Sequence, residues 1–335
     1  MIKSLARCAL FLLALLPATS VAEPIKLKLS FFTSDGSQVY LHAIKPFVDA
    51  VNAEGKGLLE IEVFFSGALG RLQAEQPQLV LDGVADIAFV VPGQTPDLFQ
   101  DTAVIELPGQ FRDAREATLT YTRLLAAHAL KGYEDFFVIG SFSANPNSIH
   151  SRKPIASIVD LKGQRLRINN LREAAALEKL GAVPVLLSII QTPEAISKGT
   201  IDGATLPPSA LLDFGIARAT SNHYLLRTSA APLALLMNRK KFGSLPEQAR
   251  TLIRKYSGEW PAKYYIENIE RLDAQELKRI QSDPKRTVVF PSQSDLNTAQ
   301  AAFEVANEEW QARNPRNREL LTAVKAEIAK LRSTR

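Results

Sequence analysis

Strand and helix alternate along most of this chain, and that alternation restricts the possible folds more than any other feature. IKLKLSFF (25–32) reads as a strand by its period of two; a helical stretch, AIKPFVDAVNAEG, follows, and LEIEVFF (59–65) is a second strand. The result is a β-α-β unit, continued by a helix ending in LVLDG and by a third strand, DIAFVV, opened by Asp86. In the second half GQRLRIN reads as a strand. Asn170, with Glu173 three residues on, predicts an N-cap for the helix LREAAALEKLG, which Gly181 stops. Strand VPVLLS, helix TPEAISKG and a strand opened by Asp202 complete the series.

Two passages echo each other, LVLDGVADIAF (79–89) and AISKGTIDGAT (195–205). Each ends a helix at a glycine, passes an apolar residue and begins a strand at an aspartate. Two similar α/β lobes in one chain are expected, each offering its strand ends to a shared crevice, because ligands in open α/β sheets bind at the carboxyl ends of the strands. The C-terminal third differs. From Pro246 to Ser282 the spacing is helical, with Ser257-Gly258 and Pro261 expected to kink or divide the element and Asp283-Pro284 to close it. VVFPS (288–292) reads as a short strand and DLNTAQAAFEVANEEWQARN as a further helix, followed by basic last turns that read as a solvated face.

Residues 1–22 carry a basic start (Lys3, Arg7), an apolar run and Ser20-Val21-Ala22 before Glu23, the pattern of a secretory signal peptide. The single cysteine, Cys8, lies inside that signal, so the mature chain is expected to have no thiol, disulfide or lipid anchor. No segment reaches the about 20 apolar residues a membrane-spanning helix needs. After cleavage roughly 313 residues remain, which suggests two domains of ordinary size. The formal charge of +5, less the two signal cations, leaves a mild positive excess without a basic run, so no nucleic-acid footprint is indicated.

Motifs for nucleotide binding, serine hydrolysis and zinc chemistry are all missing: there is no GxGxxG after a strand, no GxxxxGK[ST], no GxSxG, no HExxH and no paired cysteines. His42, His128, His150 and His223 show no metal-ligand spacing and read as structural. Asp86 and Asp202 could form an acid/base pair, but both open a strand after a helix stop, where aspartate is a common turn residue. No cofactor, metal or catalytic residue is expected.

DLKGQRLRINN (160–170) holds the chemistry. Alternation puts Arg165 and Arg167 on one face of a strand and Leu166 and Ile168 on the other. An unpaired buried guanidinium costs several kcal/mol, and the segment supplies no acid on that face. The partner is another side chain or a ligand.

The order FFSGALGRLQAEQPQLVLDGVADIAF, HSRKPIASIVDLKGQRLRI, GAVPVLLSIIQTPEAISKGTIDG, LLMNRKKFGSLPEQARTLI closely resembles the solute-binding subunits of TRAP transporters, the DctP-type family, over essentially the whole mature chain. DLKGQRLRI is the most specific piece, and the family's D-L-K-G-x-K-[IL]-R-[VI] places its arginine on Arg167. The resemblance implies a bidentate salt bridge from Arg167 to the carboxylate of a bound acid, in keeping with the fork of donors a guanidinium offers. Arg165 falls where the family has lysine and is expected at the lobe surface. Sialic-acid-binding members carry a second arginine, a glutamate and an asparagine where this chain has Asn147, Val91 and Leu206. One strong anion clamp with apolar walls suits a monocarboxylate with an apolar or aromatic body, since a hydroxyl buried without a partner costs about 1–3 kcal/mol. Phe31, Phe32, Phe89 and Phe214, near strand ends, are candidates for the walls.

The fold so implied is α/β, a two-lobed periplasmic binding protein of type II-like form, with FFVIGSFSAN (136–145) and APLALLMN (231–238) as crossing hinge strands and a long connecting helix from Pro246 to Ser282. Lobe I is expected over 23–141 and 235–270, lobe II over 142–234 and 271–335. The function implied is that of a periplasmic monomer, not an enzyme, that captures a small organic acid and delivers it to a separate TRAP permease. The same fold could serve a ligand-sensing subunit of a signalling system. A periplasmic enzyme is the third reading, and it would need strongly perturbed acids or bases in the crevice.

Overall fold

The computed structural model describes residues 23–333; the expected signal peptide over 1–22, with Cys8, lies outside the described residues. Two mixed sheets organise the chain. The first comprises β1 (Ile25–Ser30), β2 (Leu59–Phe64), β3 (Ile87–Val90), β4 (Phe136–Ser143) and β10 (Pro232–Asn238), in the order β2-β1-β3-β10-β4. The second comprises β5 (Ser148–Ser151), β6 (Arg165–Ile168), β7 (Val183–Leu186), β8 (Gly203–Leu206), β9 (Asn222–Tyr224) and β11 (Thr287–Val289), in the order β11-β9-β5-β8-β6-β7. β1 lies parallel to both β2 and β3, and β6 parallel to both β7 and β8, so helical crossovers join them. The α-helices are α1 (Lys45–Glu54), α2 (Gln76–Leu81), α3 (Ala114–Ala126), α4 (Leu171–Lys179), α5 (Thr192–Ser197) and α6 (Pro208–Asp213). They continue with α7 (Arg239–Ser244), α8 (Glu247–Lys255), α9 (Glu259–Ser282), α10 (Gln293–Ala312) and α11 (Pro315–Ser333).

The two echoing passages occupy equivalent places. Gly83 and Gly199, at φ 73° and 72°, end α2 and the turn after α5 in the left-handed conformation that glycine adopts without a Cβ clash. Three residues on, Asp86 N donates to Lys28 O (2.9 Å) while the Asp86 carboxylate accepts from Lys28 N (2.8 Å). Asp202 repeats both bonds on Arg165, at 2.7 and 3.0 Å. Each aspartate therefore anchors the start of an inner strand to its neighbour, which makes it a structural turn residue.

The chain passes from β4 to β5 through 144–147, returns from β9 to β10 through 225–231 and passes again from β10 to β11 by way of α9, so it crosses between the sheets three times. β4 and β10 pair antiparallel, with a bulge at Leu235/Leu236. The helical stretch from Pro246 to Ser282, expected to kink or divide at Ser257-Gly258 and Pro261, is divided at the first of these: α8 ends at Lys255 with Tyr256 as its C-cap, and Gly258 at φ 73° turns the chain into α9. Pro261 sits in the first turn of α9, where a missing N–H costs no helical bond, so it does not kink the helix. The strand expected over 288–292 is shorter, Thr287–Val289.

Apolar faces close the layers. α1 buries Phe47, Val48 and Val51 against the first sheet, each such side chain removed from water being worth about 1.5–3 kcal/mol. α9 packs on α3 and β4 at one end and on α6 and β11 at the other, so it touches elements of both sheets. Among the described residues no helix is long and apolar enough to cross a membrane.

Candidate ligand-binding site

The carboxyl ends of β1, β3, β6 and β8 converge on a cavity of about 90 Å³ between the sheets, and it is lined by Phe32, Val91, Asn147, Arg167, Leu206 and Phe214. Those are the residues selected from the sequence. Phe89 also lines it, whereas Phe31 is fully buried in the core behind and does not. Both residues lie just past the end of β1: Phe31 is taken into an aromatic cluster with Tyr40 and Phe89 at centroid distances of 5.5 and 5.4 Å, and the Phe32 ring stacks on that of Phe31 at 6.0 Å, on the side of the cavity. Phe32 stacks on Phe89 at 5.8 Å and presents a ring to the cavity.

Arg167 stands on β6, only 2% exposed. Its Nε donates to Leu187 O at 2.8 Å, which fixes the plane of the guanidinium, and Nη1 reaches Thr205 O only at 3.5 Å. Nη2 has no protein partner, and no carboxylate lies within 4 Å of the group among the described residues. Burial pulls its pKa down to about 10, opposed by the charge of Glu173. A cation in this state is costly unless an anion joins it.

Glu173 was not selected from the sequence as a site residue. It is fully buried, and its carboxylate accepts from Asn147 Nδ2 (3.1 and 3.3 Å), Thr205 Oγ1 (2.7 Å) and Thr228 Oγ1. Burial raises its pKa, while those donors and Arg167 lower it. Asn170 caps α4 as expected, accepting from Arg172 N and Glu173 N at 3.0 and 2.8 Å. The Glu173 side chain, however, turns into the second lobe instead of back to the cap. Asn147 thus spends its donors on holding Glu173.

Arg165 is occupied elsewhere: it pairs with Asp202 through Nη2 (3.0 Å) and Nε (3.2 Å) and donates to Gly199 O at 2.7 Å, with its side chain half exposed. Its neighbours Lys153 and Arg152 approach the same carboxylate at 3.1 and 3.5 Å. The two arginines of one strand face therefore have separate tasks, one closing a turn and one facing the cavity.

Two histidines position the Leu206 carbonyl. His150 Nε2 lies 3.1 Å from Leu206 O, an acceptor only, so that nitrogen carries the proton and His150 Nδ1 accepts from His223 Nδ1 at 2.8 Å. Arg286 Nη1 then donates to His223 Nε2 at 3.3 Å. Burial first, and like charge second, push His150 down to about 3 and His223 down to about 4, so both are neutral and structural near pH 7.

Polar side chains also bridge the sheets at the rim. Gln73 Oε1 accepts from Ser188 Oγ (3.2 Å) and Ile189 N (3.0 Å), and Gln94 Nε2 donates to Asn169 O at 2.9 Å. Asp213 Oδ2 accepts from Gln38 N at 2.7 Å.

Among the described residues no cluster of metal-ligating side chains occurs. The family model for bacterial extracellular solute-binding proteins, family 7, matches residues 29–314. A TRAP solute-binding protein from Rhodoferax ferrireducens, solved with copurified benzoate, is 28% identical, with a TM-score of 0.82 over 92% of this chain and 99% of that one. A marine metagenome TRAP solute-binding protein from an unidentified microbe, specific for aromatic acid ligands and solved with metahydroxyphenylacetate, is 26% identical, with a TM-score of 0.85 over 91% and 99%. The C4-dicarboxylate-binding periplasmic protein DctP of Rhodobacter capsulatus is 26% identical over 252 residues, 73% of this chain and 74% of that protein. The chain belongs to the DctP family of bacterial extracellular solute-binding proteins, the solute-binding subunits of TRAP transporters.

Proposed function

We propose that this protein captures an organic monocarboxylate with an apolar or aromatic body and delivers it to a separate TRAP permease. The observation that carries this reading is Arg167: a buried guanidinium with no ion pair among the described residues, facing a cavity whose other walls are in large part Phe and aliphatic side chains. A carboxylate on its outer nitrogens supplies the missing charge and two donor–acceptor pairs at once. The ring or alkyl body then displaces water from Phe32, Phe89, Val91, Leu206 and Phe214, against which a sugar's hydroxyls find no partner. Relatives that carry benzoate and hydroxylated aromatic acids support this choice of body.

Lobe I over 23–141 and 235–270 and lobe II over 142–234 and 271–335 then rotate about the two crossings and α9, the protein acting as a monomer. A thermal-shift screen tests the ligand class, since a ligand that binds only the folded state raises the melting temperature. Benzoate and related arylcarboxylates should give the largest shifts. A larger shift from succinate or galacturonate, with none from aromatic acids, would refute the reading.

A further inference from the structure

Asp213 is, beside Arg167, the charged side chain that lines the cavity among the described residues, and nothing in the capture of a carboxylate by Arg167 accounts for it. It ends α6 and lines the same cavity. Its carboxylate reaches across the crevice to Gln38 N (2.7 Å) and also takes the Val39 amide. Among the described residues no Lys, Arg or His nitrogen lies within 4 Å of it, and the charged side chain that acts on it most, Glu276 of α9, has the same sign. The other titratable groups on the elements around it include Tyr265, Glu270, Arg271, Asp273 and Arg279 on α9, Tyr40, His42 and Lys45 beyond Gln38, and Arg218 past α6; Asp273 is taken up by Ser209 N at 2.7 Å. Burial pushes the Asp213 carboxyl up to about 6, so it is an anion at neutral pH, held in the wall at a cost.

We propose that Asp213 sets the charge selectivity of the cavity, admitting one carboxylate at Arg167 and rejecting ligands that bring a second anionic group. The inference rests on the carboxylate reading of the site and adds the residue that limits it to one. A second carboxylate meets a fixed like charge in a water-poor cavity, where two backbone amides already saturate part of Asp213 and no cation is left to share. At separations of about 8 Å and an effective dielectric of about 20, that repulsion lowers affinity on the order of tens of fold. Among the described residues Arg167 is the one cation that lines the cavity, so a second carboxylate finds no compensating cation there.

Calorimetry with benzoate, 4-nitrobenzoate and terephthalate tests it. The last two have nearly the same shape and differ in charge. Wild-type protein at pH 7.5 should bind 4-nitrobenzoate at least about tenfold more tightly than terephthalate, and Asp213→Asn should shrink that ratio several-fold. A measurement on the wild type guards against a variant that folds poorly. Lowering the pH from 7.5 to 5.0 should shrink the same ratio, and terephthalate binding near pH 6.5 should take up protons, seen as a dependence of the enthalpy on buffer ionisation. A ratio unmoved both by Asp213→Asn and by pH overturns the inference while leaving the monocarboxylate reading intact. Binding of benzoate with both larger acids excluded, in wild type and variant alike, also overturns it, because shape then sets the selectivity. If none of the three acids binds, the carboxylate reading falls and this inference with it.

Discussion

The two sheets share a frame but meet the cavity with opposite chemistry. Asp86 and Asp202 tie equivalent strands by the same pair of bonds, after glycines at nearly the same φ. Beyond those turns the strand ends part company. β1 and β3 finish in Phe32, Phe89 and Val91, an apolar wall. β6 and β8 bring Arg167 and Thr205, backed by Asn147 and Glu173, beside a single apolar residue, Leu206. The frame is set by turn chemistry and core packing, and these tolerate any side chain at the strand ends. On the proposed reading, the second lobe would orient the anion through Arg167, and the first would supply most of the ring contact.

Removing the clamp should have the largest effect. Arg167→Ala should weaken arylcarboxylate binding by about 2–5 kcal/mol, tens of fold or more by calorimetry, and Arg167→Lys should not restore it because an ammonium cannot make the two-pronged contact. Near wild-type affinity in the alanine variant would place the anion elsewhere and dissolve the contrast between the lobes.

The support beneath the clamp comes next. Glu173→Ala removes the acceptor for Asn147, Thr205 and Thr228 and leaves buried donors unpaired, so denaturant melts should show a loss of about 1–3 kcal/mol. An unchanged midpoint would mean that the polar lobe does not depend on this network.

The apolar wall should respond more gently and in a different way. Phe89→Ala should weaken benzoate by about 1–2 kcal/mol while affecting a short aliphatic acid less, because the loss is of ring contact and not of charge. An equal loss for both acids would instead indicate disturbed lobe I packing, since Phe89 also stacks on Phe31 and Phe32.

The smallest expected effect concerns pH and the second sheet alone. His150 and His223 have folded pKa values below the ordinary histidine value, so the unfolded chain binds more protons between about pH 6.5 and pH 4. Their contribution to stability is complete above about pH 6.5 and is lost as the pH falls through that window. The melting temperature of His223→Gln should depend less steeply on pH there than that of the wild type. Equal slopes would show that the pair is not held neutral.

Local periodicity made much of this legible before the fold was known. Alternation in DLKGQRLRI puts Arg167 on one face, and the glycine–aspartate turns mark where the inner strands begin. What periodicity could not show are contacts between distant segments. Glu173 is spaced as a capping partner of Asn170, yet its carboxylate is held by residues 26 to 55 positions away. Asp213 ends a short helix and meets Gln38 from 175 positions off, a pairing with no local trace. The division before α9 did have a signal: Gly258 followed by Pro261 is the composition of a helix start, not of a kink within one.

Diffraction from crystals grown with benzoate tests the central claim most directly. The account predicts closed lobes, both carboxylate oxygens within hydrogen-bond distance of the Arg167 guanidinium, and the ring between Phe32 and Phe89 on one side and Leu206 and Phe214 on the other. Benzoate bound elsewhere, or a cavity without ligand in which Arg167 has turned to pair with Glu173, would contradict it.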